Sequence, residues 1–136
     1  MKELSNLLSG SWTYRSFHNN PDIHAGIEKL IFGTGTLTFE KISTNVIKGH
    51  FDFGPNVTLM VNGNLLPGDP IQLNFRGAGV PNSPTAGWMY DYKGVFLPNW
   101  SNGIDQIPAI VGSVIRTAPH GNAKAGYVAS FIIVKR

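Results

Sequence analysis

The stretch Gly10–His18 reads Gly-Ser-Trp-Thr-Tyr-Arg-Ser-Phe-His, and it decides the fold. Trp12, Tyr14, Ser16 and His18 occupy alternate positions in this stretch, so in a strand their side chains would point to the same face. Alternation of this kind, with aromatic and β-branched residues, predicts a strand. Gly10 allows a sharp turn at the start of the strand, so the indole of Trp12 can pack against one end of a sheet.

Seven further segments are typical of strands. In the first five, apolar and polar residues alternate, whereas in the last two the residues that would point to either face of the sheet are apolar. They are residues 34–42, 46–53, 57–62, 71–76, 87–96, 109–117 and 126–135. Short connections rich in glycine and proline favour antiparallel pairing, and closing such a sheet removes its exposed edges. The sequence therefore predicts an all-β fold, an eight-stranded antiparallel up-and-down β-barrel, in a single domain spanning residues 1–136.

Two regions suggest helical turns beside the strands. Leu4, Leu7 and Leu8 have helical spacing before the first strand, which predicts one turn that covers an end of the sheet. Residues 23–32 fit either a helical turn or a strand. Their pattern alone does not decide between the two.

Composition excludes several classes of protein. The chain has 136 residues, a net charge of +3 and no cysteine, so disulfides and thiolate chemistry are excluded. Its longest basic run is Lys135-Arg136, which argues against a nucleic-acid partner. No segment approaches the roughly 20 apolar residues of a membrane span, and the N-terminus lacks the apolar run of a signal peptide. We therefore expect a cytoplasmic protein with no membrane partner.

No motif for a metal or a cofactor is found. His24, His50 and His120 are scattered, with no pair at metal-ligand spacing. The chain contains no phosphate loop, dinucleotide fingerprint or nucleophile elbow. We expect neither a metal nor a cofactor.

The last two predicted strands suggest a partner. Residues 109–117 and 126–135 are apolar on both parities, and a strand of that kind is buried on both faces. The outer face of an isolated barrel normally meets water. Charged residues make up only 14% of the chain, against about 25% in an average protein. We therefore expect a homo-oligomer that forms through the last two strands.

Gly10-Ser11-Trp12 resembles the Gly-x-Trp signature that opens the calycin superfamily, which includes lipocalins, fatty-acid-binding proteins and avidins. The length and the lack of a long C-terminal helix look more like avidin and streptavidin than like lipocalins. The resemblance implies that a basic residue at the end of the last strand packs across Trp12, namely Arg136, with Lys135 as the alternative. Avidins hold biotin with an asparagine and a serine two and six residues after the tryptophan. Those positions are Tyr14 and His18 here, so a ligand other than biotin is expected.

The parity of Trp12 leads to a candidate ligand site. If Trp12 closes one end of the barrel, the side chains that follow it on the same face point inward and form a polar wall. The aromatic stripe from Trp88 to Tyr92 offers an apolar wall, provided that this face points inward and Asp91 outward, which is the orientation we favour. Trp100, on the long loop of residues 98–108, offers a lid. The predicted ligand-binding residues are Tyr14, Ser16, His18, Trp88, Tyr90 and Trp100.

Three functions fit these features. The leading hypothesis is a barrel that binds one small, partly aromatic molecule. The alternative is a small enzyme that uses the same cavity, with His18, Tyr14 or Asp91 as general acid or base. The third is a structural barrel whose interior is filled by its own polar and aromatic side chains.

Overall fold

The computed structural model describes residues 6–97 and 100–136, with the side chain of Lys41 left aside. It contains a closed barrel in which each strand pairs antiparallel with the next and the last pairs with the first. The strands are β1 (Gly10–His18), β2 (Ile31–Ser43), β3 (Val46–Asp52), β4 (Thr58–Leu66), β5 (Gln72–Gly79), β6 (Met89–Phe96), β7 (Ala109–Ala118) and β8 (Val128–Lys135). A short helix, α1 (Ile27–Leu30), precedes β2. The predicted eight-stranded up-and-down β-barrel is confirmed.

The undecided region of residues 23–32 contains both elements. Residues 27–30 form α1, and β2 begins directly after it at Ile31. Because β2 starts three residues earlier than expected, Phe32 and Gly33 belong to a strand at the barrel's rim. Both residues contribute to the cavity described below.

Alternating strand direction gives the barrel two distinct ends. The loops that follow β1, β3, β5 and β7 lie at one end, which we call the mouth. The chain before β1, the loops that follow β2, β4 and β6, and the end of β8 lie at the other, which we call the closed end.

Trp12 fills the closed end. Its side chain is fully buried, and its Nε1–H donates a hydrogen bond of 2.8 Å to the carbonyl of Leu8. Residues 6–8 are helical, and Leu8 is fully buried as well. The helical turn predicted here is therefore present over the described residues, whereas Leu4 lies outside them.

The basic residue that packs on Trp12 is Lys135, so the expectation of Arg136 is wrong. Lys135 Nζ lies 5.1 Å from the centroid of the Trp12 ring and donates to the carbonyl of Ser9. The reason is register, because Lys135 sits directly opposite Trp12 in the β1–β8 pair and so shares its face. Arg136 comes one residue later, and its Nε donates to Thr13 Oγ1 at 3.0 Å.

Aromatic rings fill the barrel above this plug. Phe39 packs edge-on against Trp12 at a centroid distance of 6.2 Å and against Phe75 at 6.1 Å. Phe75 stacks on Tyr92 at 4.9 Å, and Tyr92 lies 5.0 Å from Phe51. Each such ring buries a large apolar area, so this cluster supplies much of the barrel's stability.

The ion pair of Asp91 settles the orientation of β6. Arg76 Nε and Nη2 donate to the two carboxylate oxygens of Asp91 at 2.7 and 3.1 Å, and this ion pair is exposed on the outer face. Tyr90 and Tyr92 are buried on the inner face. The favoured orientation, with the aromatic stripe inward, is therefore confirmed.

Within the described residues, no helix has the length and apolar character needed to cross a bilayer.

Candidate functional site

A cavity of about 490 Å³ opens at the mouth of the barrel. Tyr14 and Tyr92 lie deepest among its lining residues, at the top of the aromatic cluster. Trp88 and Tyr90 form one wall, and Phe32, Phe53 and Leu59 are among the other apolar lining residues. The barrel is thus filled in its closed half and hollow toward its mouth.

Two buried tyrosines form the floor. Tyr14 is 2% exposed and Tyr92 is 3% exposed, and their rings meet edge-on at 6.1 Å. Burial raises the pKa of Tyr14 to about 12 and raises the pKa of Tyr92 well above its ordinary value. Both phenols therefore stay protonated at neutral pH, and their hydroxyls can donate as well as accept hydrogen bonds.

Beside the floor, the wall contains the polar side chain of Ser16 and a glycine, Gly33, which has no side chain. Ser16 is fully buried, and its Oγ lies 3.4 Å from the carbonyl of Gly33, which is long for a hydrogen bond of this type. A Cβ atom on Gly33 would have only Ser16 Oγ, at 3.3 Å, and the edge of the Tyr14 ring, at 4.0 Å, within 4 Å. Gly33 lines the cavity, so a larger residue there would project into it, with Ser16 Oγ displaced by a few tenths of an ångström.

Arg116 stands at the rim, where three aromatic rings surround it. The guanidinium carbon lies 5.6 Å from the ring centroids of Phe32, Tyr90 and Tyr127, a distance typical of cation–π contact. Its Nε donates to Tyr90 Oη at 3.1 Å, and its Nη1 donates to the carbonyl of Lys124 at 3.1 Å. These contacts fix the plane of the guanidinium at the entrance.

His120 continues the network on the other side of Tyr90. Its ring stacks on Trp88 at a centroid distance of 4.2 Å, and its Nε2 lies 2.9 Å from Tyr90 Oη. Because Tyr90 Oη accepts from Arg116, its own hydrogen is available to His120 Nε2, an arrangement that needs a neutral imidazole. Desolvation, and next the positive charge of Arg116, lower the pKa of His120 and so favour that neutral form.

Comparison of the chain with protein-family models, curated proteins and solved structures gives no match. The chemistry of the cavity is therefore the basis for assigning a function. Among the described residues, no group of three His, Cys, Asp or Glu side chains is placed to hold a metal ion.

Four of the six predicted ligand-binding residues line the cavity. These four are Tyr14, Ser16, Trp88 and Tyr90. His18 lies at the same end of the barrel but not among the lining residues. Its ring packs edge-on against Phe32 at 5.3 Å, and its Nδ1 is hydrogen-bonded to the hydroxyl of Tyr127.

The predicted position of Trp100 at the mouth is wrong. Trp100 is 77% exposed and lies on the loop between β6 and β7, which is at the closed end. The physical reason is strand direction, since β6 runs from the mouth toward the closed end and delivers its following loop there. A lid over the cavity of the same barrel cannot come from this loop.

The three acid–base candidates of the enzyme hypothesis are not brought together. Asp91 faces outward in its ion pair with Arg76, and His18 is engaged by Tyr127 at the rim. Tyr14 lies alone of the three in the cavity.

Arg116 and His120 are site residues that sequence reasoning missed. Arg116 shares the parity of buried Ile110 and Val114 on β7, a signal that was readable from the sequence. His120 had no such signal, because the turn after β7 folds it back over Trp88.

Proposed function

We propose that this protein binds one small, partly aromatic molecule in the cavity at the mouth of the barrel. The observation that carries the proposal is the combination of a space of about 490 Å³ with aromatic walls and a few convergent polar groups. Cavities of roughly 300–1,000 Å³ with this kind of lining are typical of small-molecule sites. The polar groups are the hydroxyls of Tyr14, Ser16 and Tyr90 and the side chains of Arg116 and His120.

The contrast between the two halves of the barrel supports binding over a purely structural role. The closed half is filled by rings in mutual contact from Trp12 to Tyr92. A barrel that served only as a scaffold would gain stability by filling the mouth in the same way, because an unfilled apolar space forgoes packing energy. A site that has to admit a ligand needs that space.

We further propose that the barrel is an avidin-like member of the calycin superfamily. Support comes from Gly10-Ser11-Trp12 at the start of β1 and from the ammonium of Lys135 across the indole. The expected ligand is not biotin, since Tyr14 occupies the position of the asparagine that avidins use. Its ring is enclosed by Phe51 at 5.0 Å and Phe53 at 5.8 Å.

Tryptophan fluorescence tests the binding proposal, because only one of the three tryptophans lines the cavity. A panel of small aromatic and heterocyclic compounds, biotin included, is titrated into wild type, Trp88→Phe and Trp100→Phe. We expect at least one compound to change the emission of wild type and Trp100→Phe in a saturable manner, and to leave Trp88→Phe unchanged. A change that persists in Trp88→Phe, or a panel without any saturable change, contradicts the proposal. Tight biotin binding would contradict the argument from Tyr14.

A further inference from the structure

The guanidinium of Arg116 has no opposite charge at the entrance. Among the described residues, no carboxylate lies within 4 Å of it, and no lining residue of the cavity is acidic. Arg76, by contrast, has the carboxylate of Asp91 as its partner. Arg116 is instead surrounded by three aromatic rings, the hydroxyl of Tyr90 and the carbonyl of Lys124, none of which carries a formal negative charge.

Arg116 also has unused hydrogen-bond donors. A guanidinium carries five N–H groups in a fixed plane. Within the described part of the chain, Arg116 uses two of its nitrogens, Nε toward Tyr90 and Nη1 toward Lys124, and Nη2 makes no hydrogen bond. A planar oxyanion is the group that matches such a fork, and it accepts stronger hydrogen bonds from arginine than a neutral group does.

Neighbouring polar groups favour an anion over a cation. Tyr90 Oη already accepts from Arg116 and faces His120 Nε2 on its other side. Below them, the phenols of Tyr14 and Tyr92 stay neutral because burial raises the pKa of each. A cationic ligand would meet the charge of Arg116 with no acidic group to offset it.

From these observations we infer that the cavity takes an aromatic carboxylate, with the ring between the aromatic walls and the carboxylate on Arg116 at the rim. This inference rests on the proposed function and adds to it the charge class of the ligand and the residue that reads it. The three rings around Arg116 hold its guanidinium in place. The position of the guanidinium sets how far the carboxylate of the ligand lies from the ligand ring, which packs against Trp88 and Tyr90.

A pair of matched compounds tests the inference. The probes are 2-naphthoate and 2-naphthamide, which share a ring system and nearly a shape but differ in charge. Their dissociation constants are measured through Trp88 emission in the Trp100→Phe background. We expect 2-naphthoate to bind at least about 10-fold more tightly, since a hydrogen-bonded charge pair is worth about that factor.

Variants then assign the difference to Arg116. Arg116→Gln should bring the two compounds to within about 2-fold of each other, and Arg116→Lys should retain part of the preference, because it keeps the charge without the fork. The matched control is Arg15→Gln, which removes an exposed arginine of β1 and should leave the preference at its wild-type size.

A salt titration of the unmodified barrel keeps the test decisive if Arg116→Gln does not fold. Raising the ionic strength from about 0.01 M to about 1 M shortens the screening length from about 30 to about 3 Å. Binding of 2-naphthoate should weaken, and binding of 2-naphthamide should not.

Failure of the inference can be told apart from failure of the proposed function. Equal and salt-independent binding of both compounds, reported by Trp88, overturns the carboxylate inference and leaves the proposed function standing. Tighter binding of 2-naphthamide, or a preference that survives in Arg116→Gln, also overturns the inference. If neither compound binds, the inference is overturned, and the neutral members of the wider panel decide whether the proposed function falls with it.

Discussion

The ammonium of Lys135 lies 5.1 Å from the centroid of the Trp12 indole, so the last strand of the barrel is joined to the first across the closed end. The same ammonium donates to the carbonyl of Ser9, and the indole N–H donates to the carbonyl of Leu8. Gly10, at φ +105°, makes the turn between these carbonyls and β1, and a Cβ there would stand 3.0 Å from Lys135 Nζ. The plug is therefore one unit made from both ends of the chain.

Replacing Trp12 by alanine should strongly destabilise the barrel. The side chain is fully buried, and truncation of a large buried aromatic costs about 3–5 kcal/mol. Denaturant unfolding followed by circular dichroism measures the loss. A Trp12→Ala protein with the wild-type unfolding midpoint would contradict the role of Trp12 as the plug.

Lys135 and Arg136 should differ in their effect on stability, although they are neighbours. Lys135→Gln removes the cation over the indole and should cost about 0.5–2 kcal/mol. Arg136→Gln, the matched control, removes a solvent-exposed contact to Thr13 and should cost less than about 0.5 kcal/mol. Equal losses, or a larger loss for Arg136→Gln, would restore the original expectation that Arg136 packs on Trp12.

Tyr14 should make the protein sensitive to alkali. Its pKa is about 12 in the folded protein against 10 in an unfolded chain, because burial opposes ionisation. Its contribution is fully present below pH 10 and is lost as the pH rises from 10 through 12, because the unfolded chain releases its proton first. By linkage, Tyr14→Phe should lose about 1.4 kcal/mol less stability than wild type between pH 8 and pH 11.

Unfolding curves at the two pH values measure this difference, and tyrosinate absorbance follows the ionisation itself. The other tyrosines are present in both proteins and cancel in the comparison. Identical alkaline losses in wild type and Tyr14→Phe would mean that the Tyr14 hydroxyl reaches water.

His120 should make the stability of the protein sensitive to acid rather than to alkali. Its folded pKa is lowered, first by desolvation and then by the positive charge of Arg116, and its ring stacks on Trp88 and is hydrogen-bonded to Tyr90. As the pH falls below about 6.5, the unfolded chain binds a proton before the folded one does, so stability is lost. The melting temperature of His120→Gln should therefore fall less between pH 7.5 and pH 5 than that of wild type. An equal or greater fall in the variant would contradict a lowered pKa of His120 in the folded protein.

The homo-oligomer stays a prediction, and the structure supplies a matched pair to test it. Val114 is 2% exposed on the inner face of β7, whereas Ile115, next to it, is 37% exposed on the outer face. Light scattering on the native protein should give more than one chain per particle. Ile115→Glu should shift the particle to a folded monomer, and Val114→Glu should unfold it. A monomeric native protein at micromolar concentration would contradict the prediction.

Most of the fold was accessible from the sequence because alternation is a local property. Side chains of successive residues in a strand point to opposite faces, so burial of Trp12, Tyr14 and Ser16 follows from their parity. Strand direction, rather than side-chain alternation, places Trp100 at the closed end, because the loop after an even-numbered strand of an up-and-down barrel returns to the end where the first strand starts.

The rest of the site depends on contacts that parity does not specify. His18 continues the inward parity of Ser16, but the β1–β2 register shifts after Ser16, and Phe32 and Tyr127 take the neighbouring space. His120 reaches the cavity through a turn outside any strand. Such positions are set by packing between distant segments, and no local pattern encodes them.

The most direct test of small-molecule binding at the mouth is to map the residues that respond to ligand, both in the wild-type cavity and in a variant whose cavity is filled by a side chain. Amide chemical shifts are recorded for wild type, Gly33→Leu and Thr36→Leu while the aromatic panel is added. Gly33→Leu places a side chain into the cavity beside Ser16, whereas Thr36 alternates with buried Leu37 and serves as the outer-face control. We predict saturable shifts around Trp88 in wild type and Thr36→Leu, and none in Gly33→Leu. Shifts that persist in Gly33→Leu, or a wild-type mouth that responds to no compound, would contradict the account.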